Sequence, residues 1–546
     1  MNFKLIATVL FTSLSFSCFA SSSLSLTGMS LEEKIGQLLM VQFYGEEAND
    51  DARTLIQKTK VGGIIYYNWC NGLHSPEQIQ ALSAGLQKLT QSNPNPIPLL
   101  IAADQEGGVV DRLNNGFTRF PGNKAVGMTA NPNLAKEAAL ATGIELHAVG
   151  INMNLAPVVD INSNPRNPVI GVRSFGEYAE TVLVFTEQAL NGYKQAHIIA
   201  TLKHFPGHGD TAIDSHEDLP VVHKSKEELE RMELLPFAKL GSSAEAIMTA
   251  HILVPAFDTE NCSTFSEKTL NYLRQTIGFQ GVIVSDSLVM EGALKKCQTV
   301  DEAAIQALKA GCDILILGGK IIAGERTGFE LKVPDIERIH KSIIQAVKEG
   351  RISEARVNQA VEKILNLKNR YLLTQNNTSQ SIDLTKTVHT SAHRAVAQKI
   401  ASLALKATEN GSNSIASLHK KNIAVFAPQL LQNDIDQTTL LKIGKSTNPC
   451  FFSNLSPSQD EIETAKQHAR TADVIFICSY NAWKNPSQLI LIQSLLDMGK
   501  PTVLLVMRDP LDASLFPRAD LIFKTFSPTP PSIQAVCDQL NEKYSR

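Results

Sequence analysis

Ile198-Ile199-Ala200-Thr201-Leu202-Lys203-His204-Phe205-Pro206-Gly207-His208-Gly209 joins an apolar, β-rich run to a turn-prone stretch dense in imidazole and charge. A short run that is apolar at consecutive positions and closed by Gly and Pro fits a strand buried on both faces, as in a parallel sheet. Seven more runs of this kind lie at residues 38–43, 63–67, 99–104, 151–155, 246–250, 282–286 and 313–317, separated by longer helical patterns. Eight βα units between residues 35 and 372 predict an α/β fold, a (β/α)8 TIM barrel, in which chemistry sits at the C-terminal ends of the strands. The polar punctuation agrees with that expectation. Asp104-Gln105-Glu106-Gly107-Gly108 follows the third run, Lys203-His204 ends the fifth, Thr249-Ala250-His251 the sixth and Ser285-Asp286-Ser287 the seventh.

A helical pattern at 352–371 closes this unit, and the polar stretch 374–390 reads as a linker. Beyond it, a helical pattern at 392–405 and apolar runs at 423–426, 474–477, 503–506 and 521–523 predict a smaller three-layer α/β domain. That domain has no G-x-G-x-x-G or Walker loop, so nothing in it argues for nucleotide binding. Residues 1–20 read as an export signal: Lys4 precedes an apolar run, and Cys18-Phe19-Ala20 puts small residues at −3 and −1 of a cut after Ala20. A buried first helix is the alternative, and Phe16 makes a poor lipobox for Cys18. The expected division is therefore signal 1–20, barrel 21–373, linker 374–390 and C-terminal α/β domain 391–546, with the mature protein periplasmic or extracellular.

With 546 residues the chain has room for a large core and two to four domains. Its 51 Lys and Arg against 54 Asp and Glu give a formal charge of −3, which offers no basic field to a nucleic-acid backbone. No segment after residue 20 approaches the ~18 uninterrupted apolar positions of a membrane span. A monomer without nucleic-acid partners or stable membrane insertion is expected. After residue 20 the cysteines are Cys70, Cys262, Cys297, Cys312, Cys450, Cys478 and Cys537. Seven cannot all pair, and without a C-x-x-C pair they read mainly as buried small hydrophobes, with one or two disulfides left open.

The densest chemistry is Lys203 to His216, with three histidines, a lysine and two aspartates, Asp210 and Asp214, in fourteen residues. A solvated loop and a metal site built on His204, His208 and His216 are both conceivable, although Lys203 would sit awkwardly beside a cation. Asp214 and His216 are two apart, so an extended backbone would put both side chains on one side. A carboxylate on one imidazole nitrogen fixes the tautomer and favours the charged form, which makes the pair an acid/base dyad. Asp286, at the end of its strand, is the natural carboxylate nucleophile; its alternative is the N-cap of a helix starting near Leu288.

Together these motifs resemble family 3 glycoside hydrolases, in particular their β-N-acetylglucosaminidase branch. The resemblance covers roughly residues 30 to 370 and rests on the Lys203–His216 string, with Asp104-Gln105-Glu106-Gly107-Gly108, Arg173-Ser174-Phe175-Gly176, Met248-Thr249-Ala250-His251 and Ser285-Asp286-Ser287 in the expected order. It implies Asp286 as nucleophile, His216 as general acid/base and Asp214 as its partner. By the same resemblance Asp104, Arg112, Arg173, Lys203 and His204 would bind the sugar hydroxyls and N-acetyl group, with no metal or organic cofactor. The implied activity is exo-acting, retaining removal of terminal GlcNAc from peptidoglycan fragments or chitooligosaccharides, with phosphate possible in place of water as acceptor. A β-glucosidase of the same family and a non-catalytic cell-wall glycan-binding protein are the alternatives. The chain departs from the family at Val109, where Arg is frequent, and its signal and added domain look more like the two-domain members.

Overall fold

The computed structural model describes residues 23–321, 327–373, 382–411, 415–453 and 455–544. The expected signal at 1–20 and residues 374–381 of the expected linker lie outside these. Eight parallel strands form the first sheet: β1 (Leu39–Val41), β2 (Gly63–Ile65), β3 (Leu100–Ala103), β4 (Met153–Asn154), β5 (Ile199–Phe205), β6 (Ala246–Thr249), β7 (Val282–Val284) and β8 (Leu315–Leu317). From β1 to β7 each strand pairs with the next in sequence, β8 pairs back onto β1 through Leu39–Leu315, and an isolated parallel bridge between Val284 and Ile314 brings β7 against the start of β8. The circle is a TIM barrel. Every residue of these strands is buried, which is why they read as continuous apolar runs with almost no alternation.

The second sheet holds β9 (Lys406–Glu409), β10 (Asn422–Pro428), β11 (Ser446–Phe452), β12 (Val474–Ser479), β13 (Thr502–Val506) and β14 (Leu521–Lys524) in the order β9-β14-β13-β12-β10-β11. Only β9 is antiparallel. Separate apolar clusters cover its two faces, one around Val425, Phe476 and Leu505, the other around Phe426, Ile477 and Leu504, which gives the three layers. Sequence reading finds β10, β12, β13 and β14 and misses β9 and β11. Both are edge strands: β9 is fully exposed, and β11 has a single buried residue, Phe452, and contains Pro449, tolerable on an edge where no second neighbour needs its N–H.

The polar stretch expected as linker is partly structured where it is described. A short helix Leu384–Thr387 is capped by Asp383, whose Oδ1 accepts from the Thr385 amide. His389 donates its amide and His393 offers Nδ1 to the buried Glu145 at 2.9 and 2.7 Å. The helix Ser391–Ala404 then packs on Asn123–Met128 and Asn133–Ala148 of the barrel and on Pro530–Tyr544 of the second unit. All seven cysteines from Cys70 to Cys537 are free thiols, and all but Cys450 are buried.

A second tie joins the two units beside the barrel mouth. Arg119 donates Nε to Asp111 and Nη1 to Asp434 of the second unit at 2.8 Å, and all three side chains are largely buried. Removing one member of a buried ionic cluster leaves the others charged and unpaired. Arg119→Met is therefore expected to lower stability by about 3–5 kcal/mol in chemical denaturation. Lys466→Met, which breaks the exposed Lys466–Glu463 pair, should change it by no more than about 0.5 kcal/mol.

Candidate active site

Backbone polar groups at the C-terminal ends of barrel strands are free to turn outward, and the charged residues of this chain collect there. Lys203, near the end of β5, is only 2% exposed. A bare ammonium at that depth would be strongly disfavoured, and it is met by Asp104 just after β3 (Nζ–Oδ1 2.9 Å) and by Glu106 (Nζ–Oε1 2.7 Å). Arg173, in the turn Gly171–Arg173, closes the cluster with a two-pronged contact to Glu106, Nε–Oε2 2.9 Å and Nη2–Oε1 2.8 Å. Arg112 adds a looser contact to Asp104 at 3.8 Å. Burial pushes the Glu106 carboxyl upward, but Arg173 and Lys203 outweigh it and hold the group well below the usual carboxylate range. Burial also disfavours the Lys203 ammonium, and the charges of Asp104 and Glu106 reverse this and raise its pKa.

His204 and His208 are structural as well as polar. His204 belongs to β5, so the strand runs further than expected and the loop begins only after Phe205. Asp160, fully buried after β4, accepts from the backbone of His204 and His208 at 3.1 and 2.7 Å and from His204 Nδ1 at 2.6 Å. The His204 Nε2 is left toward Arg173, 3.4 Å away. His208 is sealed between Ser215 Oγ and Thr211 Oγ1, and burial lowers its pKa to about 4. The three histidines considered as metal ligands are thus held by separate partners, and among the described residues no three His, Cys, Asp or Glu side chains converge as a metal site.

Asp214 and His216 do meet, though not through an extended backbone. Residues 215–217 form a turn, in which Asp214 Oδ1 accepts from both the His216 amide (2.9 Å) and the ring Nδ1 (2.8 Å). The short aspartate side chain reaches forward to the backbone two residues on, which folds the segment and carries the ring with it. Burial opposes charge on His216, but the hydrogen bond and charge of Asp214, helped by the charge of Asp286, outweigh it and raise the imidazole pKa. Asp214 in turn is held down at about 2, its burial overcome by the contact with His216.

Asp286 follows β7 and lines the same cavity as His216, Lys203, Asp104, Arg112 and Arg173, a space of about 470 Å3. It is not the cap of a helix at Leu288: the next helix is Glu291–Cys297, with Met290 before it, and Asp286 caps only the Ser287 amide at 2.7 Å. Burial raises its pKa, and the neighbouring His251, His204 and His216 more than offset this, so the carboxylate stays ionised. His251 is oriented by donating Nε2–H to the Ser287 carbonyl at 2.9 Å.

All eight residues selected from sequence line or border this cavity; Asp214 reaches it through His216. Sequence reasoning passed over Glu106, Asp160 and the pair Tyr67 and Trp69. Glu106 stood in the quoted Asp104 motif as its second carboxylate. Asp160 was visible as a lone charge inside the apolar string Val158-Val159-Asp160-Ile161. Tyr67 and Trp69 stack 4.4 Å apart after β2 with the Arg112 guanidinium over both rings, forming an aromatic wall. The cavity is of a size for a small polar ligand, with fixed donors, fixed acceptors and one aromatic side.

Residues 30–367 match the glycosyl hydrolase family 3 N-terminal domain. Beta-hexosaminidase A of Pseudoalteromonas piscicida is 32% identical over 431 residues, covering 73% of this chain and 70% of that protein. A beta-hexosaminidase of Pseudomonas aeruginosa (strain PAO1) is 34% identical over 308 residues, 55% of this chain and 86% of its own length. Among solved structures, a glycoside hydrolase family 3 beta-N-acetylglucosaminidase from Paenibacillus sp. str. FPU-7 superposes with a TM-score of 0.85 at 35% identity, over 94% of this chain and 97% of the other.

The electrostatic account of the dyad has a direct check. Asp214→Asn removes the carboxylate that favours the imidazolium, so the NMR titration of the His216 ring, assigned by its absence in His216→Ala, should move to lower pH. An unchanged midpoint would mean that Asp214 does not set the charge of the ring.

Proposed function

The chain belongs to glycosyl hydrolase family 3 and is a glycoside hydrolase, and we propose that it is an exo-acting, retaining β-N-acetylglucosaminidase that removes terminal non-reducing GlcNAc. The observation that carries this reading is the Asp214–His216 dyad on the same cavity as the ionised Asp286. A retaining glycosidase needs a nucleophile and a proton donor about the anomeric carbon. The usual donor is a carboxylic acid, and here a histidine with a raised pKa serves.

In the first step an Asp286 oxygen bonds to the anomeric carbon, the glycosidic C–O bond breaks, and the leaving oxygen takes the proton of His216 Nε2. The ring is then neutral. In the second step it takes a proton from water, the hydroxide oxygen bonds to the anomeric carbon, and the Asp286 carboxylate is released. A neutral base repels an anionic acceptor less than a carboxylate would, so phosphate can compete with water. Asp104 accepts from sugar hydroxyls, while Arg112, Arg173, Lys203 and His204 supply the remaining contacts to hydroxyls and the N-acetyl group. Glu106 and Asp160 hold those groups in place. The Tyr67–Trp69 wall offers a flat face to a sugar ring. Peptidoglycan fragments or chitooligosaccharides are the proposed substrates, met by an exported monomer; among the described residues no helix is long and apolar enough to cross a membrane.

Asp286→Asn should abolish turnover of nitrophenyl-GlcNAc while GlcNAc still binds by calorimetry; retained turnover would refute the nucleophile assignment. In His216→Ala the first step should slow roughly 10²–10⁴-fold with GlcNAc disaccharides, while the initial burst of nitrophenol from nitrophenyl-GlcNAc, whose leaving group needs little help from an acid, should be far less affected even as steady turnover falls for want of the base. Equal losses in that first step on both substrates would remove His216 from the role of acid.

A further inference from the structure

Among the described residues, every one that lines the cavity belongs to the barrel, so the second unit adds no group to it. The second unit does reach Arg112, through a series of side chains. Arg112 is loosely held at its tip: the guanidinium lies over Tyr67 and Trp69, its contact with Asp104 is 3.8 Å long, and Nε is buried without a hydrogen-bond partner. A buried donor left open on a cavity wall suits an incoming oxygen. What fixes Arg112 is its main chain.

Gln105–Gly107 and Val110–Asp111 form an antiparallel hairpin after β3, and Gln105 is the clamp inside it. Asn154 of β4 grips its backbone on both sides, the Gln105 amide donating to Oδ1 at 3.0 Å and its carbonyl accepting from Nδ2 at 2.9 Å. Gln105 Oε1 accepts from the amides of Arg112 and Leu113 at 2.9 and 3.0 Å. Its Nε2 donates to the Leu113 carbonyl at 3.3 Å and to Asp111 Oδ1. The other Asp111 oxygen accepts from Arg119 Nε, and Arg119 Nη1 donates to Asp434 of the second unit at 2.8 Å. The base of Arg119 is fixed on the barrel side, because the amide and hydroxyl of Thr118 both donate to Glu145, at 2.9 and 2.7 Å. Only its long side chain has a choice of rotamer, and Asp434 selects the one that lays Nε on Asp111. Among the described residues neither carboxylate has another cation. Burial raises the pKa of both, and the shared guanidinium offsets this only in part.

We propose that Asp434 is a positioning residue for sugar binding: acting through Arg119, Asp111 and Gln105, it fixes the Arg112 main chain and so sets how tightly the barrel holds its sugar. This rests on the reading of Arg112 as a contact to the bound sugar. The second unit then supports the sugar-gripping hairpin and touches neither the acid nor the nucleophile, so its influence is felt in binding before it is felt in bond cleavage.

A double-mutant cycle on the full-length protein with nitrophenyl-GlcNAc tests it. Asp434→Ala should raise KM roughly tenfold and leave kcat within about twofold, as expected when an interaction made equally in the ground state and the transition state is weakened. The affinity for GlcNAc in calorimetry should fall by a similar factor. Arg112→Met should weaken binding at least as much, and adding Asp434→Ala to it should cost nothing further, because the relay then has nothing to position. Where Asp434→Ala destabilises the protein too far to assay, Asp434→Asn, which keeps an oxygen for Arg119 and loses the charge, carries the same cycle with a shift of roughly threefold. An unchanged KM in the Asp434 variants, a loss confined to kcat, or losses that multiply in the double variant would overturn the proposal while leaving Arg112 as a sugar contact. Unchanged binding in Arg112→Met would instead refute the reading of Arg112 itself, and the proposal with it.

Discussion

A lysine ammonium buried at the end of a barrel strand is tolerable only if carboxylates come to meet it, and the active site is arranged around meeting Lys203. Asp104 arrives from the end of β3 and Glu106 from two residues further on. Glu106 then requires a second cation, which Arg173 supplies through two parallel contacts. The cluster fixes the relative positions of three barrel segments that are far apart in sequence. A sugar bound as proposed would find donors and acceptors already held in place, which saves the reorganisation that flexible side chains would require.

The same electrostatic logic separates the roles of the titratable groups. Two carboxylates near one another would tend to share a proton, but here Asp286 faces His251, His204 and His216 and remains anionic, whereas His216 is driven toward its charged form by Asp214. In the proposed mechanism this keeps one group ready to attack and the other ready to give a proton. An imidazole proposed in place of the usual acidic donor depends on a partner for its charge. Its partner sits in a turn whose geometry is set by its own side chain, so the dyad is a local unit positioned by a loop. The second unit touches the loop leading to Arg173 through Lys484 and Pro168 and is tied through Arg119 to Asp111, the residue before Arg112, which gives the added domain a structural bearing on the barrel mouth.

Much of this was legible in the amino-acid order. The barrel strands could be read because burial on both faces forces continuous apolar runs, and the rim residues because charge at the close of such a run has few structural uses. What escaped had physical reasons. The edge strands β9 and β11 carry little apolar signal, since one side of each meets solvent. Glu106 looked like part of a motif centred on Asp104 and shows its importance only once Lys203 and Arg173 are brought beside it. Asp160 could have been noticed, because a carboxylate within an apolar string must be hydrogen-bonded, but its partners His204 and His208 lie more than forty residues away. The contact of Asp214 with His216 was expected on the grounds of strand-like alternation and arises from an aspartate turn instead.

The central claim is that Asp286 forms a covalent bond to the sugar and that His216 releases it. In His216→Ala, a GlcNAc glycoside with an activated leaving group still glycosylates the enzyme, while the base for the second step is missing, so the intermediate should accumulate. Intact-mass and peptide-mapping mass spectrometry of that variant under turnover should find one N-acetylhexosamine residue added, on the peptide containing Asp286. Continued turnover with no adduct, or an adduct elsewhere, would mean that the N-acetyl group of the substrate or another side chain serves as nucleophile, and would contradict the account.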